Sequence, residues 1–209
     1  MILALCLLAA YLLGSLSGSL LLGRLQGFDI RTQGSGNAGG TNAFRTRGWR
    51  FALGVVLIDI GKGALAACLP VWLGSAPLPL EQAVAGCVLL AVAGHVWPVF
   101  YGLRGGKGAA TLIGGLLVMW PMSVPVLLGV WVLCLLATGY VGLSTILAAV
   151  ALVPWAWFDP GPSPGLRLGF AVAAALFILY THRSNLARLR AGTEHRFEKA
   201  RLIGRLRRR

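Results

Sequence analysis

The chain has 209 residues, of which 57% are hydrophobic and only 12% charged, and its formal net charge is +13. A soluble domain carries roughly twice that share of charge, so the bilayer is the solvent for most of this chain and a water-soluble fold is excluded. The positive balance sits in loops and in the C-terminal tail, where it suits anionic headgroups and a cytoplasmic face; a nucleic-acid partner is not expected.

In chain order, an apolar run from Ile2 to Leu22 with no charged residue before it reads as a first transmembrane helix at about 2–23 rather than a cleaved signal. A polar, glycine-dense loop follows at 24–50. Further spans are predicted at about 50–73, 82–103, 141–158 and 165–182, each long enough or nearly so to cross a hydrocarbon core. The stretch 109–138 holds Pro121 and Pro125 near its middle and is read as two short helices.

Charge decides between one crossing and two for that stretch. Arg24, Arg31, Arg45, Arg47 and Arg50 lie in one loop, Arg104 and Lys107 in another, and ten Lys and Arg follow His182. The loops near 74–81 and 158–166 have none. Two short helices put every basic segment on one side, the cytoplasm. The expected fold is an all-α integral membrane protein with seven transmembrane helices, N-terminus outside, C-terminus cytoplasmic, and a short helical hairpin at about 109–138. It would form a single membrane-embedded domain over 1–209 with a basic cytoplasmic tail at 195–209. Cys6, Cys68, Cys87 and Cys134 each stand alone in apolar runs and read as packing residues.

The polar segments carry the chemistry. Gly34-Ser-Gly-Asn-Ala-Gly-Gly-Thr-Asn-Ala-Phe-Arg45 combines convergent N–H groups with donors on Ser35, Asn37, Thr41 and Asn42 and the guanidinium of Arg45, a set that fits an oxyanion such as phosphate. Gly94-His-Val-Trp-Pro-Val-Phe100 leads to Gly105-Gly-Lys-Gly108, which opens a helix at Ala109. N–H groups there, with Lys107, form a second anion cradle, and His95 stands nearby. It is not a nucleotide-binding P-loop, because Tyr101 and Gly108 occupy positions that need Gly and Ser or Thr.

Asp59 and Lys62 share a helix face inside the second span and are read as an intramembrane pair that orients the first loop. Ser144 lies in a short polar break, and His182 and Asn185, at i,i+3, can face one ligand. The only acids are Asp29, Asp59, Glu81, Asp159, Glu194 and Glu198. They offer no paired carboxylates for a metal site and no Ser/His/Asp order. Phe100 and Ala187 stand where the His-x-x-x-x-Asp motif of soluble-type glycerolipid acyltransferases needs its aspartate. A catalyst built from these residues works with positive charge and hydrogen-bond donors.

Those two loops, together with Asp59-Ile-Gly-Lys62-Gly63 and His182-Arg-Ser-Asn-Leu-Ala-Arg-Leu before Gly192-Thr-Glu194, resemble the bacterial acyl-phosphate:glycerol-3-phosphate acyltransferase (PlsY) family over the whole chain. Gly142 and the long arginine-rich tail beyond Glu194 depart mildly from its pattern.

The resemblance implies transfer of a fatty acyl group from acyl phosphate to the 1-hydroxyl of glycerol 3-phosphate, giving lysophosphatidic acid and phosphate. It implies no cofactor or metal. It also implies a multi-pass place in the bacterial inner membrane, with the active site on the cytoplasmic face and the oligomeric state open, a monomer among the options. Ser35, Arg45, Lys107, His182 and Asn185 would be catalytic. Asn37, Thr41, Asn42, His95, Gly105, Gly106, Gly108 and Ser144 would bind substrate, with Asp59 and Lys62 orienting. Proton transfer to a donor phosphate oxygen and a histidine base, His95 or His182, are both open at this point. The alternative from another class is a transporter of an organic phosphate.

Overall fold

The computed structural model describes residues 1–74 and 79–198. Among them it is all helix: α1 (Ile2–Gly14), α2 (Gly18–Leu25), α3 (Gly40–Leu73), α4 (Leu80–Val96), α5 (Ala109–Met119), α6 (Ser123–Thr138), α7 (Val141–Phe158), α8 (Pro164–Thr181) and α9 (Arg183–Arg190), with short 3-10 turns at Ile30–Thr32 and Val99–Tyr101. Most of the basic tail expected at 195–209 lies outside the described residues.

Among the described residues, α3, α7, α8 and the segment Leu80–Tyr101 are long and apolar enough to cross a bilayer. The bent pair α1–α2 adds a fifth crossing if it counts as one span. The run 109–138 breaks at Trp120–Met122 into two helices of 11 and 16 residues. At 1.5 Å per residue these measure roughly 16 and 24 Å, short of a core of about 30 Å.

The described helices gather into two compact units, Met1–Pro121 and a second beginning at Met122. In the first, α1 packs on α4, and α3 packs on α4 and α5. The α3–α5 contact is backbone against backbone: a Cβ at Gly63 would fall on the Thr111 carbonyl, and one at Gly114 on the Ile60 carbonyl. Small residues let helices approach this closely where lipid supplies no hydrophobic drive for them to associate. In the second unit α7 packs between α6 and α8, with α9 at its end. Trp131 Nε1 of α6 donates to Thr145 Oγ1 of α7 at 3.2 Å.

Two expectations about spans are corrected. The first span is not one helix to residue 23: it stops at Gly14 and restarts at Gly18 with a 51° bend. A break in an apolar helix frees backbone groups that lipid cannot satisfy. Here the charge pair of α3 takes them: Lys62 Nζ donates to Leu16 O at 3.1 Å, and the Gly18 N–H donates to Asp59 Oδ1 at 3.0 Å. The loop expected over 24–50 also turns helical at Gly40, ahead of the span predicted from residue 50. The polar turns Gly40–Arg47 are joined to the apolar helix through Gly48, whose φ of 80° interrupts the ladder.

Candidate active site

The first loop is folded by its own side chains. Asn42 is buried; its Oδ1 accepts the Ser35 N–H at 2.9 Å, and its Nδ2 donates to Gln33 O at 3.0 Å and Ile30 O at 3.3 Å. This knot, with Gly34 at φ 57° and Gly36 at φ 71°, turns the segment so that Ser35 is exposed. Asn37 and Thr41 are half-buried on either side of Gly39, the N-cap of α3. Arg45 is half-buried one turn further along the same helix. The first-turn N–H groups of α3 have no intrahelical acceptor, which makes this end an anion site in waiting.

The second loop ends likewise at a helix start. Gly108 (φ 86°) is the N-cap of α5, and Lys107 is half-buried before it. The N–H groups of Gly105 and Gly106 are already engaged, donating to Val96 O and His95 O at 3.1 Å each. The free donors of this cradle are therefore those of the α5 first turn. Gly105 and Gly106 serve instead for close packing: a Cβ on either would meet His95, and at Gly106 it would also come within 2.9 Å of Ala38 O. Glycine is required here because the two loops touch, the second lying on the Ala38 carbonyl of the first.

A clasp absent from the sequence reading holds the two loops together. Arg31 Nε and Nη2 grip the Asp29 carboxylate at 2.7–3.0 Å, while its Nη1 donates to Tyr101 O at 2.8 Å and Arg104 O at 3.0 Å. The Arg31 hydrogen bonds hold the Asp29 carboxyl below its usual range, and Asp29 raises Arg31 in turn. Arg31 reads in sequence only as a cytoplasmic charge. The usable signal is the scarcity of acids: Asp29 is one of only six in the chain and stands two residues from Arg31. Beside the clasp, Leu20, Arg24, Phe28 and Tyr101 line an open cleft of about 390 Å³.

Beneath both loops lie Asp59, Lys62 and His95, exposed to 1, 4 and 3%. Lys62 Nζ sits 2.9 Å from Asp59 Oδ1 and 2.8 Å from His95 Nδ1. His95 is thus enclosed by protein, away from the surface that Ser35 and the helix N-termini present.

In the second unit, His182 joins α8 to α9 and is buried, its Nδ1 2.9 Å from Ile178 O. A carbonyl can only accept, so Nδ1 carries a proton. Asn185 Nδ2 donates to Glu194 Oε1 at 2.7 Å, and Glu194 Oε2 accepts from Arg188 Nε at 2.7 Å. Asn185 also lies on Gly142 of α7, where a Cβ would come within 2.6 Å of it. Ser144 is buried, and its Oγ donates to Tyr140 O at 2.9 Å. The first unit therefore assembles Ser35, Asn37, Thr41, Asn42, Arg45, His95, Gly105, Gly106, Lys107 and Gly108, and the second holds Ser144, His182 and Asn185. Among the described residues no group of three or more His, Cys, Asp or Glu is placed to hold a metal ion.

Known proteins resemble this chain in sequence and in fold. The family model described as glycerol-3-phosphate acyltransferase matches residues 4–192. A glycerol-3-phosphate acyltransferase of Chlorobaculum parvum is 43% identical, with 90% of this chain and 93% of that protein covered. One from a Synechococcus species is 44% identical, covering 92% and 93%. The crystal structure of PlsY (YgiH), an integral membrane glycerol 3-phosphate acyltransferase, in its glycerol 3-phosphate form superposes with a TM-score of 0.84 at 33% identity, over 93% of this chain and 95% of that one. Its lysophosphatidic acid form gives 0.84 at 31%, over 96% and 98%. With glycine loops, buried charge pair and histidine–asparagine turn all falling inside the matched residues, the chain belongs to the glycerol-3-phosphate acyltransferase family.

Proposed function

We propose that this protein transfers a fatty acyl group from acyl phosphate to the 1-hydroxyl of glycerol 3-phosphate. The reading includes seven crossings, counting α5 and α6, with the N-terminus outside and the loops and C-terminus in the cytoplasm of a bacterial inner membrane. The observation that carries it is the meeting of two helix N-termini, α3 and α5, through glycine loops clasped by Arg31. Two phosphate-bearing substrates repel each other, and such ends, with Arg45 and Lys107, offset that repulsion.

In this reading Ser35, Arg45, Lys107, Ser144, His182 and Asn185 position glycerol 3-phosphate. The α5 N-terminus with Gly108, Asn37 and Thr41 holds the acyl phosphate, while Asn42, Gly105 and Gly106 shape the loops. The substrate hydroxyl oxygen attacks the acyl carbon. The new ester C–O bond forms as the acyl–phosphate C–O bond breaks, the electron pair leaves on phosphate, and the hydroxyl proton passes to a phosphate oxygen. Phosphate is already a good leaving group, so proximity and charge neutralisation supply most of the acceleration.

The test is purified protein in detergent with acyl phosphate and labelled glycerol 3-phosphate. The 1-acyl product with one phosphate released per ester supports the reading. Ester formed only from acyl-CoA or acyl carrier protein overturns the donor. Movement of glycerol 3-phosphate into sealed vesicles without ester would make the protein a transporter.

A further inference from the structure

The geometry around Lys62 fixes the proton on a buried histidine. The Lys62 ammonium has three protons and no lone pair. Its neighbours are Asp59 Oδ1 at 2.9 Å, Leu16 O at 3.1 Å and His95 Nδ1 at 2.8 Å. Three acceptors satisfy three protons only if Nδ1 keeps its lone pair. Nδ1 also lies 3.4 Å from Asp59 Oδ1, but that oxygen already accepts from Lys62 and from the Gly18 N–H. A protonated Nδ1 would set two donors 2.8 Å apart inside the protein and leave one Lys62 proton unmatched, an expensive defect at a site this buried. The neutral ring must then carry its hydrogen on Nε2. That edge of the ring lies against Gly106, where an added Cβ would fall on Nε2, and the Gly106 N–H donates to the His95 carbonyl at 3.1 Å.

We propose that His95 is a positioning residue, locked by Lys62 as its Nε2–H tautomer and seated under Gly106, so that the Asp59–Lys62 pair sets the shape of the Gly105–Gly108 loop. Both ring nitrogens are committed, one to Lys62 and one to its own proton, so His95 takes no proton from the substrate hydroxyl. The same ammonium closes the α1–α2 break through Leu16, and Asp59 closes it through Gly18. One buried pair therefore ties the break in the first span, the long helix α3 and the end of α4 to the loop. The inference rests on reading that loop as part of the phosphate site.

Three measurements test it. Nitrogen NMR of the protein with labelled histidine reports the tautomer without turnover: His95 is expected as Nε2–H in the wild type, losing that fixed state in Lys62→Met, and an Nδ1–H ring in the wild type overturns the proposal. In kinetics, His95→Ala should raise the KM of a phosphate substrate about tenfold or more while kcat falls about threefold or less. His95→Asn, which can place an amide oxygen where Nδ1 was, should recover most of that loss, and His95→Gln should not. A general base would instead show kcat down about 10²-fold, KM unchanged and no rescue by Asn. Finally, His95→Ala with Gly106→Ala should lose less than the product of the two single losses, because removing the ring takes away the nearest clash of the added methyl while the Ala38 carbonyl and the Lys62 defect remain. Losses that multiply overturn the coupling. If the wild type transfers no acyl group, the proposed function fails while the NMR result still decides the tautomer; if histidine variants do not fold, the wild-type spectrum remains decisive.

Discussion

Asp59→Ala is the most informative single change for the architecture. It removes the acceptor of the Gly18 N–H and of one Lys62 proton. Breaking a buried ion pair by deleting one partner costs about 3–5 kcal/mol, because the remaining charge stays buried. An orphaned N–H adds about 1–3 kcal/mol. The Gly18 N–H and Lys62 have their acceptor in common, so the two penalties overlap and the expected loss is about 4–6 kcal/mol. For a chain of this size that lowers the midpoint of thermal unfolding by roughly 8–24 °C. Asp59→Asn with Lys62→Met removes both charges and keeps an acceptor for Gly18. It should recover more than half of the loss, since a neutral replacement of a buried pair is often close to neutral. The assay is thermal unfolding in detergent, followed by a tryptophan or thiol probe. A double variant as unstable as the sum of its single changes would refute the claim that the pair is mutually compensating.

The other predictions concern packing, the clasp and the substrate loops. Gly63→Ala sets a methyl on the Thr111 carbonyl and forces α3 from α5, so it should lose about 1–3 kcal/mol of stability, read in the same unfolding assay. Gly61→Ala, where a Cβ meets nothing, should not lose stability. Arg31→Ala releases Tyr101 and Arg104 from the first loop and should raise the KM of a phosphate substrate several-fold with kcat less affected. Asp29 has its carboxyl lowered by Arg31, so its contribution is present above the unfolded carboxylate range, near pH 4, and is lost as pH falls further through the folded value. Faster amide exchange in the 101–106 loop below about pH 4, absent in Asp29→Asn, checks this sign. Arg45→Lys and Asn185→Ala should each lower kcat/KM about 10-fold or more, the first because a lysine cannot grip phosphate through two parallel bonds.

Much of this was legible in the sequence, for physical reasons. Hydropathy finds α3, α4, α7 and α8 because lipid demands long apolar helices, and Pro121 marks the break after α5. Gly108 and Ala109 announce a helix start that the structure contains. Hydropathy is blind where polar groups satisfy each other. Leu16 and Ser17 look like continuous span, yet Asp59 and Lys62, reaching from 41 and 46 positions away, make a break there tolerable. Gly40–Arg47 looks like loop because it is polar, but Asn42 folds it as helix by bracing Gln33 and Ile30. His95 and Asn42 carry the residue types of a binding site, and nothing in the sequence says that both face inward. Such facts depend on which carbonyl a side chain meets, which no spacing rule supplies.

The central claim is that the acyl group passes directly from one phosphate-held substrate to the other. Mixing the purified protein with acyl phosphate alone, on the time scale of one turnover, tests it. The account predicts no burst of phosphate until glycerol 3-phosphate is added, and then one phosphate per ester. A burst equal to the enzyme concentration without acceptor would reveal an acyl-enzyme and contradict direct transfer.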